Sequence, residues 1–430
     1  MPSNSLSRWF GITTFGESHG PYIGVVIDSP IPNIDFPSLE LESALRRRAL
    51  KSKFTTDRNE PDQIHIISGV FEGKTTGMPL CILVPNKDAK SEDYEAFRDV
   101  FRPGHADASW FKKYGIYDYR GGGRASGRET IARLIAADSV KSLLKGIEIR
   151  VQTLSVGKIS ADPGSFRDDN PFHWPDPKSY PELIKYLESI SRSSDSVGAT
   201  LRVTAHNVPP GLGDPIFEKL SANIAKAMFS IGSIRGILFG DGLRLAIDPG
   251  SLVNDQYKNG KPQSNHHGGI LGGVSTGQDL SFDLIIRPIS SIGIPQKTVD
   301  KSGNPQTIAI SGRHDSCHIP RVIPVVEAML GLCLADAIQY QKLIAPTKPG
   351  LNDYRESLDK LDEELVLLLW RRRSIVNQVN KYKREHQIPP IDPQREQEIL
   401  KRSSDLANNL DLDPKITQEI QKLCLQLCKK

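Results

Sequence analysis

The spacing of apolar positions changes character near residue 350. Before it, short runs rich in β-branched residues recur between glycines and prolines. Residues 25–27 after Gly20, Ile64 with Ile66 and Ile67, and segments 80–84, 201–203 and 282–286 predict strands. Between them, segments 39–50, 132–144, 216–231 and 322–337 carry apolar residues at steps of three and four and predict helices. Segment 167–196, with Pro171, Pro175 and Pro177, reads as an exposed excursion whose helix, 181–190, is peripheral. After residue 350, Tyr354, Leu358, Leu361, Leu365, Leu368, Ile375 and Val379 fall on one seam of a helix over about 352–386. Pro389 and Pro390 stop it. Asp392-Pro393 offers an N-cap with proline at the first helical position for a second helix to about residue 403, and Asp413-Pro414 repeats the device for a third. A helix of about 35 residues spans about 50 Å, too long for two short helices to cover. That seam predicts pairing with a second copy.

Composition sharpens the division. All 35 glycines precede residue 351, and the break falls in the Pro/Gly stretch 345–350. The prediction is an α+β domain over 1–344, a linker over 345–350 and an all-α domain over 351–430. With 38% hydrophobic and 25% charged residues the chain is ordinary globular material. Lys+Arg 55 against Asp+Glu 51 leaves +4, no surplus for gripping a polyanion, so nucleic acid is not an expected partner. Apolar runs such as 325–334 fall short of the roughly 20 residues of a membrane span, and no export leader opens the sequence. A cytoplasmic enzyme without membrane attachment is expected. The five cysteines, 81, 317, 333, 424 and 428, form no CxxC pair and have no histidine at zinc spacing, so reduced thiols and no metal are expected.

Candidate chemistry gathers in glycine-rich segments. Thr14-Phe15-Gly16-Glu17-Ser18-His19-Gly20 and Arg102-Pro103-Gly104-His105-Ala106-Asp107 each set a histidine among glycines, which suits either a projecting imidazole or a hydrogen-bonded structural one. Arg120-Gly121-Gly122-Gly123-Arg124-Ala125-Ser126-Gly127-Arg128 leads into a helix, where free N–H groups, a positive dipole end and guanidinium forks make an anion site. It fits neither the GxGxxG turn nor the P-loop. An arginine-glycine RNA-binding tract is the competing reading, disfavoured because this stretch is a single copy inside a folded pattern. Arg46-Arg47-Arg48, Asn265-His266-His267-Gly268-Gly269, Arg287-Pro288-Ile289-Ser290-Ser291 and Arg313-His314-Asp315 complete the set. The last suits proton relay or a surface ion pair equally.

In that order these segments resemble the chorismate synthase family over residues 6–340. The resemblance implies a sandwich of two antiparallel sheets around a helical layer, and a homotetramer in which neighbours complete the cofactor site. It implies a 1,4-anti elimination of phosphate from 5-enolpyruvylshikimate 3-phosphate, giving chorismate, with reduced FMN and no net redox change; NADP is also associated with the family. Carried over by motif, His19 donates a proton to the departing phosphate, His105 stands near flavin N1 and Asp315 relays a proton at N5. Arg124, Ala125, Ser126, Gly232, Ser233, Gly272, Arg287, Pro288, Ile289, Ser290, Ser291 and Arg313 are implied flavin contacts. Arg47, Arg48, Lys53, Arg128 and Asn265 are implied substrate contacts. Departures include Ala49-Leu50 where the family has Pro-Gly, Lys53 for an arginine, and Gly232-Ser233 for Asn-Ala.

Residues 351–430 resemble the all-α chorismate mutase family, which rearranges chorismate to prephenate. Arg372 and Lys383 lie eleven residues apart in the apolar seam, about 16 Å along one helix face, and a dianion between them explains two cations there. With Arg355, Asp392, Arg395 and Glu396 they match that family's binding positions, Arg355 reaching the partner's site. Leu427 stands at a family serine position, and the sequence stops before the family's glutamine or glutamate for the ether oxygen, leaving Lys383 to contact it.

Overall fold

The computed structural model describes residues 3–49, 53–55, 62–87, 91–162, 164–310, 315–344, 351–410 and 412–427. Internal contacts divide the chain into Met1–Ala345 and Pro346–Lys430.

In the first unit, two five-stranded sheets face a layer of helices. One runs Ser5–Leu6, Ile12–Gly16, Tyr22–Ile27, Leu80–Pro85, His65–Ser68; the other runs Ile234–Phe239, Leu280–Ile286, Ala199–His206, Glu148–Val156, Ile159–Ser160. Every pairing within them is antiparallel. Alternation explains the inward faces: Ile23, Val25 and Ile27 on one strand and Leu80, Ile82 and Val84 on its neighbour are fully buried, as are Leu201, Val203, Phe282 and Leu284 in the second sheet. Helices Ser38–Arg48, Thr130–Ser139, Leu220–Phe229 and Ile319–Ile344 fill the middle. Thr130–Ser139 packs on the first sheet, Leu220–Phe229 and Ile319–Ile344 on the second, and the helices pack on one another. All the inward residues belong to one continuous core.

Several expectations change. Helix Ile319–Ile344 runs 26 residues, longer than the apolar run suggested, and is long and apolar enough to cross a bilayer by length and composition. It is instead a core helix, with Ile323, Val326, Leu330 and Leu334 sealed between the sheets. The 216–231 helix starts only at Leu220, because Pro215 and the following Ile216 and Phe217 stay in an exposed loop. The 132–144 helix ends at Ser139 and continues as a short 3₁₀ helix, Lys141–Leu144. The excursion after residue 167 is not peripheral. Phe172 and Trp174 are buried, Trp174 donates its indole N–H to Ser179 Oγ at 3.0 Å, and Leu183 and Leu187 of helix Tyr180–Arg192 are fully buried. Two leucines one turn apart anchor this segment to the core.

The second unit comprises helices Leu351–Glu385, Pro393–Asn409 and Pro414–Leu427. The Asp392 carboxylate accepts the Arg395 N–H at 3.0 Å and caps the middle helix as its sequence predicts. That helix runs six residues beyond the expected end at 403. Along the long helix Leu358, Leu361, Leu365, Leu368, Ile375 and Val379 are exposed, so the other described helices of this unit leave the predicted seam uncovered.

Replacing Leu187 with Ala should destabilise the first unit by about 2–5 kcal/mol, because it leaves a cavity in a filled core. Denaturant unfolding measures this; a loss below about 1 kcal/mol would restore the peripheral reading.

Candidate active site

The His19 ring is fixed by backbone proximity. Gly121, Gly122 and Gly123 all adopt positive φ, at +58°, +87° and +52°, a conformation that side chains with a Cβ rarely accept. Gly121 lies so near that a Cβ built on it would stand 2.1 Å from His19 Cε1. Ser18 Oγ is 3.1 Å from His19 Nδ1, and the Tyr94 ring meets the imidazole edge-on at 5.1 Å between centroids. His19 is buried, and its place depends on the absence of side chains opposite.

The second histidine sits on a turn held by a buried ion pair. Arg102 donates to both Asp107 carboxylate oxygens, Nε to Oδ2 at 2.8 Å and Nη2 to Oδ1 at 2.9 Å, and its own backbone N–H reaches Oδ2 at 3.2 Å. Both side chains are 3% exposed, so the pair is fully desolvated and gains from its bidentate geometry. The turn between them presents His105, with Nδ1 2.9 Å from the Pro103 carbonyl and Nε2 2.9 Å from Ser291 Oγ. A carbonyl at Nδ1 demands a proton there, so in the neutral ring Nε2 accepts from the Ser291 hydroxyl. Burial, and then the Arg102 cation, hold the His105 imidazole below its ordinary range. Neutral His105 is favoured at pH 7.

The Arg287–Ser291 segment joins the same place. Ser290 Oγ donates to the Gly104 carbonyl at 2.9 Å, and Arg287 Nη1 reaches that carbonyl at 3.1 Å. The Arg287 backbone N–H bonds to Ser233 O at 2.9 Å, bringing Gly232 and Ser233 alongside. Arg287 Nε is buried and has no hydrogen-bond partner among the described residues; burial and the nearby Arg235 cation depress its guanidinium pKa. Asp315 is ion-paired to Arg321 at 2.9 Å. Its segment joins the others across Ser196-Val197, since Val197 N–H bonds to Ser316 O and Ser196 Oγ donates to Ile289 O. Arg313 lies outside the described residues.

The arginines divide by role. Arg124 Nη2 donates to Thr14 Oγ1 at 2.8 Å and lies 3.6 Å from Glu129. Glu129 also accepts from Arg133 at 2.8 Å, whose Nη1 donates to Ser230 Oγ at 2.6 Å, so one buried carboxylate links the glycine loop to the approach of Gly232. Ser126 accepts the Arg128 N–H at 3.4 Å and caps the 3₁₀ turn there. Arg48 donates Nε to Thr130 Oγ1 at 3.0 Å and Nη2 to Gly127 O at 2.6 Å.

Three implied substrate contacts have carboxylate partners within the first unit. Arg128 is buried against Asp62 at 2.6 Å and Asn86 at 2.9 Å, making it a tie between loops. Arg47 pairs with Glu327 at 2.7 Å in the helical layer. Lys53 pairs with Glu188 on helix Tyr180–Arg192. Asn265 and Gly272 also stand apart. Asn265 binds within its own loop, accepting Gly269 N–H at 2.7 Å and donating to Asp279 O at 2.8 Å. Gly272 tips a hairpin whose Gly273 O accepts the Leu220 N–H, at the opposite end of helix Leu220–Phe229 from Gly232 and Ser233. That helix is about 15 Å long at 1.5 Å per residue.

His266 Nδ1 lies 2.7 Å from Asp241, while the His266 and His267 backbone N–H groups both bind Asp255. Among the described residues no group of three or more His, Cys, Asp and Glu could hold a metal. Sequence reasoning did not find Tyr94, Asp107 as a partner of Arg102, Glu129 or His318. His318 immediately precedes helix Ile319–Ile344, and burial pushes its pKa down to about 4. Only the spacing of Arg102 and Asp107 across one short turn carried a signal.

In the second unit Arg372 Nη1 donates to Cys424 O at 2.8 Å and Lys383 Nζ to Pro390 O at 3.1 Å. Arg395 pairs with Glu398 at 2.8 Å, Arg355 is exposed and Glu396 half-buried. Both seam cations are half-buried and turn towards backbone carbonyls.

Two family models match the chain: chorismate synthase over residues 10–339 and chorismate mutase type II over 354–430. The chain is 44% identical over 353 residues to the chorismate synthase of Roseiflexus castenholzii, across 80% of this chain and 99% of that one. It is 43% identical over 363 residues to that of Chloroflexus aurantiacus, across 82% and 100%. For the Cupriavidus necator chorismate synthase the figures are 44% over 342 residues, 78% and 93%. A crystal structure of a chorismate synthase superposes with a TM-score of 0.61 at 26% identity, over 83% of this chain and 98% of that one.

Gly121→Ala should displace His19 and cost roughly 1–3 kcal/mol from left-handed backbone strain alone. A crystal structure of the variant with His19 unmoved, together with an unchanged unfolding midpoint, would contradict the close approach.

Proposed function

The chain belongs to the chorismate synthase family and carries a chorismate mutase type II domain, and we propose that it catalyses two successive steps: elimination of phosphate from 5-enolpyruvylshikimate 3-phosphate to chorismate, then rearrangement of chorismate to prephenate. The observation that supports the first step most is the convergence of His19, the Gly121–Gly123 loop, His105 and the Arg287–Ser291 segment through direct contacts. A substrate with one phosphate and two carboxylates needs cations and free N–H groups, and Arg48, Arg124 and the glycine loop stand there.

Reduced FMN fits the residues present. The buried Arg287 Nε, without a hydrogen-bond partner among the described residues and beside Arg235, suits an electron-rich acceptor, and Ser126, Ser233, Ser290 and Ser291 add short polar groups around it. Reduced flavin supplies electron density that no side chain has. His19 sits in a buried, preset position from which it can hand a proton to the departing phosphate. His105, neutral and steered by Ser291, holds its proton on Nδ1 against Pro103 O and leaves Nε2 as an acceptor. Asp315, anchored by Arg321, is the carboxylate for proton transfer on that side.

Assembly is part of the proposal. Gly272 adjoins the end of helix Leu220–Phe229 opposite Gly232 and Ser233, which favours a flavin contacted from a neighbouring copy in a homotetramer. The uncovered seam of helix Leu351–Glu385 favours a second pairing surface, and a pairing there brings Arg355 to the other copy. Arg372 and Lys383 then hold the two carboxylates of chorismate, with Asp392, Arg395 and Glu396 around them. We place both reactions in the cytoplasm.

Anaerobic incubation of the full chain with 5-enolpyruvylshikimate 3-phosphate and chemically reduced FMN should give chorismate. His19→Ala and His105→Ala should each lower the rate by roughly 10²–10⁴, and near-wild-type rates would remove those roles. Arg372→Ala should abolish prephenate formation while leaving chorismate formation unchanged. A wild-type chain that forms no prephenate from chorismate would leave the helical unit as a pairing or sensing module only.

A further inference from the structure

The two imidazole turns share a neighbour that none of the motifs includes. Tyr94 lies on the short 3₁₀ helix Ser91–Phe97, half-buried. Its ring meets His19 edge-on, with centroids 5.1 Å apart and planes at 75°. The same ring lies under the Arg102 guanidinium, whose central carbon is 5.7 Å from the ring centroid. Phe97, on the same short helix and buried, takes the guanidinium at 5.9 Å. Arg102 in turn holds the His105 turn through Asp107 and accepts the His105 N–H on its own carbonyl at 3.3 Å. One phenol ring therefore touches the first histidine and the cation that organises the second.

We propose that Tyr94 is a positioning residue for the elimination: its ring fixes the orientation of His19 and couples it to the turn that carries His105. Gly121 bars the imidazole from moving one way, Ser18 Oγ meets Nδ1, and the Tyr94 ring walls a further side. An edge-to-face pair has a preferred geometry, and the guanidinium over the phenol face holds the ring in place in turn. Misorienting a proton donor by a fraction of an ångström lowers turnover without weakening substrate binding. The aromatic face, not the hydroxyl, carries this role.

The inference rests on the elimination reading for its kinetic test and on the unliganded chain for its structural one. Tyr94→Phe should retain kcat within about 2-fold, whereas Tyr94→Ala should lower it roughly 10–100-fold with KM changed less than about 3-fold. Tyr94→Leu fills the space without a flat ring, keeps the test available if the alanine variant fails to fold, and should resemble alanine. In unliganded protein with ¹³C-labelled histidine, relaxation of the His19 Cε1–H group should report a rigid ring in wild type and Tyr94→Phe and a mobile one in Tyr94→Ala or Tyr94→Leu. A phenylalanine variant as poor as alanine would assign the effect to the hydroxyl and overturn the proposal. So would a leucine variant equal to wild type, a change confined to KM, or a His19 ring equally rigid in all variants. If wild type performs no elimination, the function proposed above fails, while the relaxation comparison still judges Tyr94.

Discussion

Gly121 occupies the space that a side chain would need, and the His19 imidazole stands in the gap. Three consecutive glycines at positive φ let the chain fold back over the histidine. The loop is a costly conformation for an isolated chain, since glycine loses the most freedom on ordering. It is held by what flanks it: Arg124 on Thr14 and Glu129, Ser126 capping the turn, and Arg128 buried against Asp62 and Asn86. Arg128 illustrates how burial decides a role. A guanidinium buried between a carboxylate and an amide is a brace, and pulling it toward a ligand would leave Asp62 as an unpaired buried charge.

The sandwich serves this arrangement by giving each loop a rigid root. The His19 segment follows strand Ile12–Gly16 of the first sheet, and Arg287–Ser291 follows strand Leu280–Ile286 of the second. The glycine loop opens onto helix Thr130–Ser139 in the middle layer. Motifs far apart in sequence meet because the sheets and helices that carry them are packed into one core. The two histidines have different surroundings as a result. His19 is confined by shape, and His105 by an ion-paired turn that keeps it desolvated and next to a cation. Those environments suit a donor in a fixed pose and a neutral, oriented imidazole.

The fold was legible where periodicity was strong. Alternating or continuous apolar runs at 25–27, 80–84 and 282–286 became buried strands, and the seam of the long C-terminal helix emerged as an uncovered face. Strands such as Glu148–Val156 escaped because polar residues interrupt them on a solvent face, Arg150 and Gln152 among them. The excursion after residue 167 misled because its prolines and serines outweigh two leucines that reach the core. In the site, resemblance named the histidines and the serines of 287–291 that the structure brings together. It could not tell which cations pair within the chain, since that depends on Asp62 for Arg128, Glu327 for Arg47 and Glu188 for Lys53, residues distant in sequence. Nor could it give Tyr94, an aromatic whose importance lies only in what surrounds it.

The chain joins a chorismate synthase domain and a chorismate mutase type II domain, and the two units are separately compact. The central claim is that the His19, His105, Gly121–Gly123 and Arg287–Ser291 segments surround a single ligand site. A crystal structure of the full chain with FMN and 5-enolpyruvylshikimate 3-phosphate measures this directly. The account predicts the isoalloxazine against Arg287 and the serines of that segment, with the substrate phosphate at His19 and the glycine loop. Both ligands bound elsewhere, or His19 and His105 facing separate cavities, would contradict it.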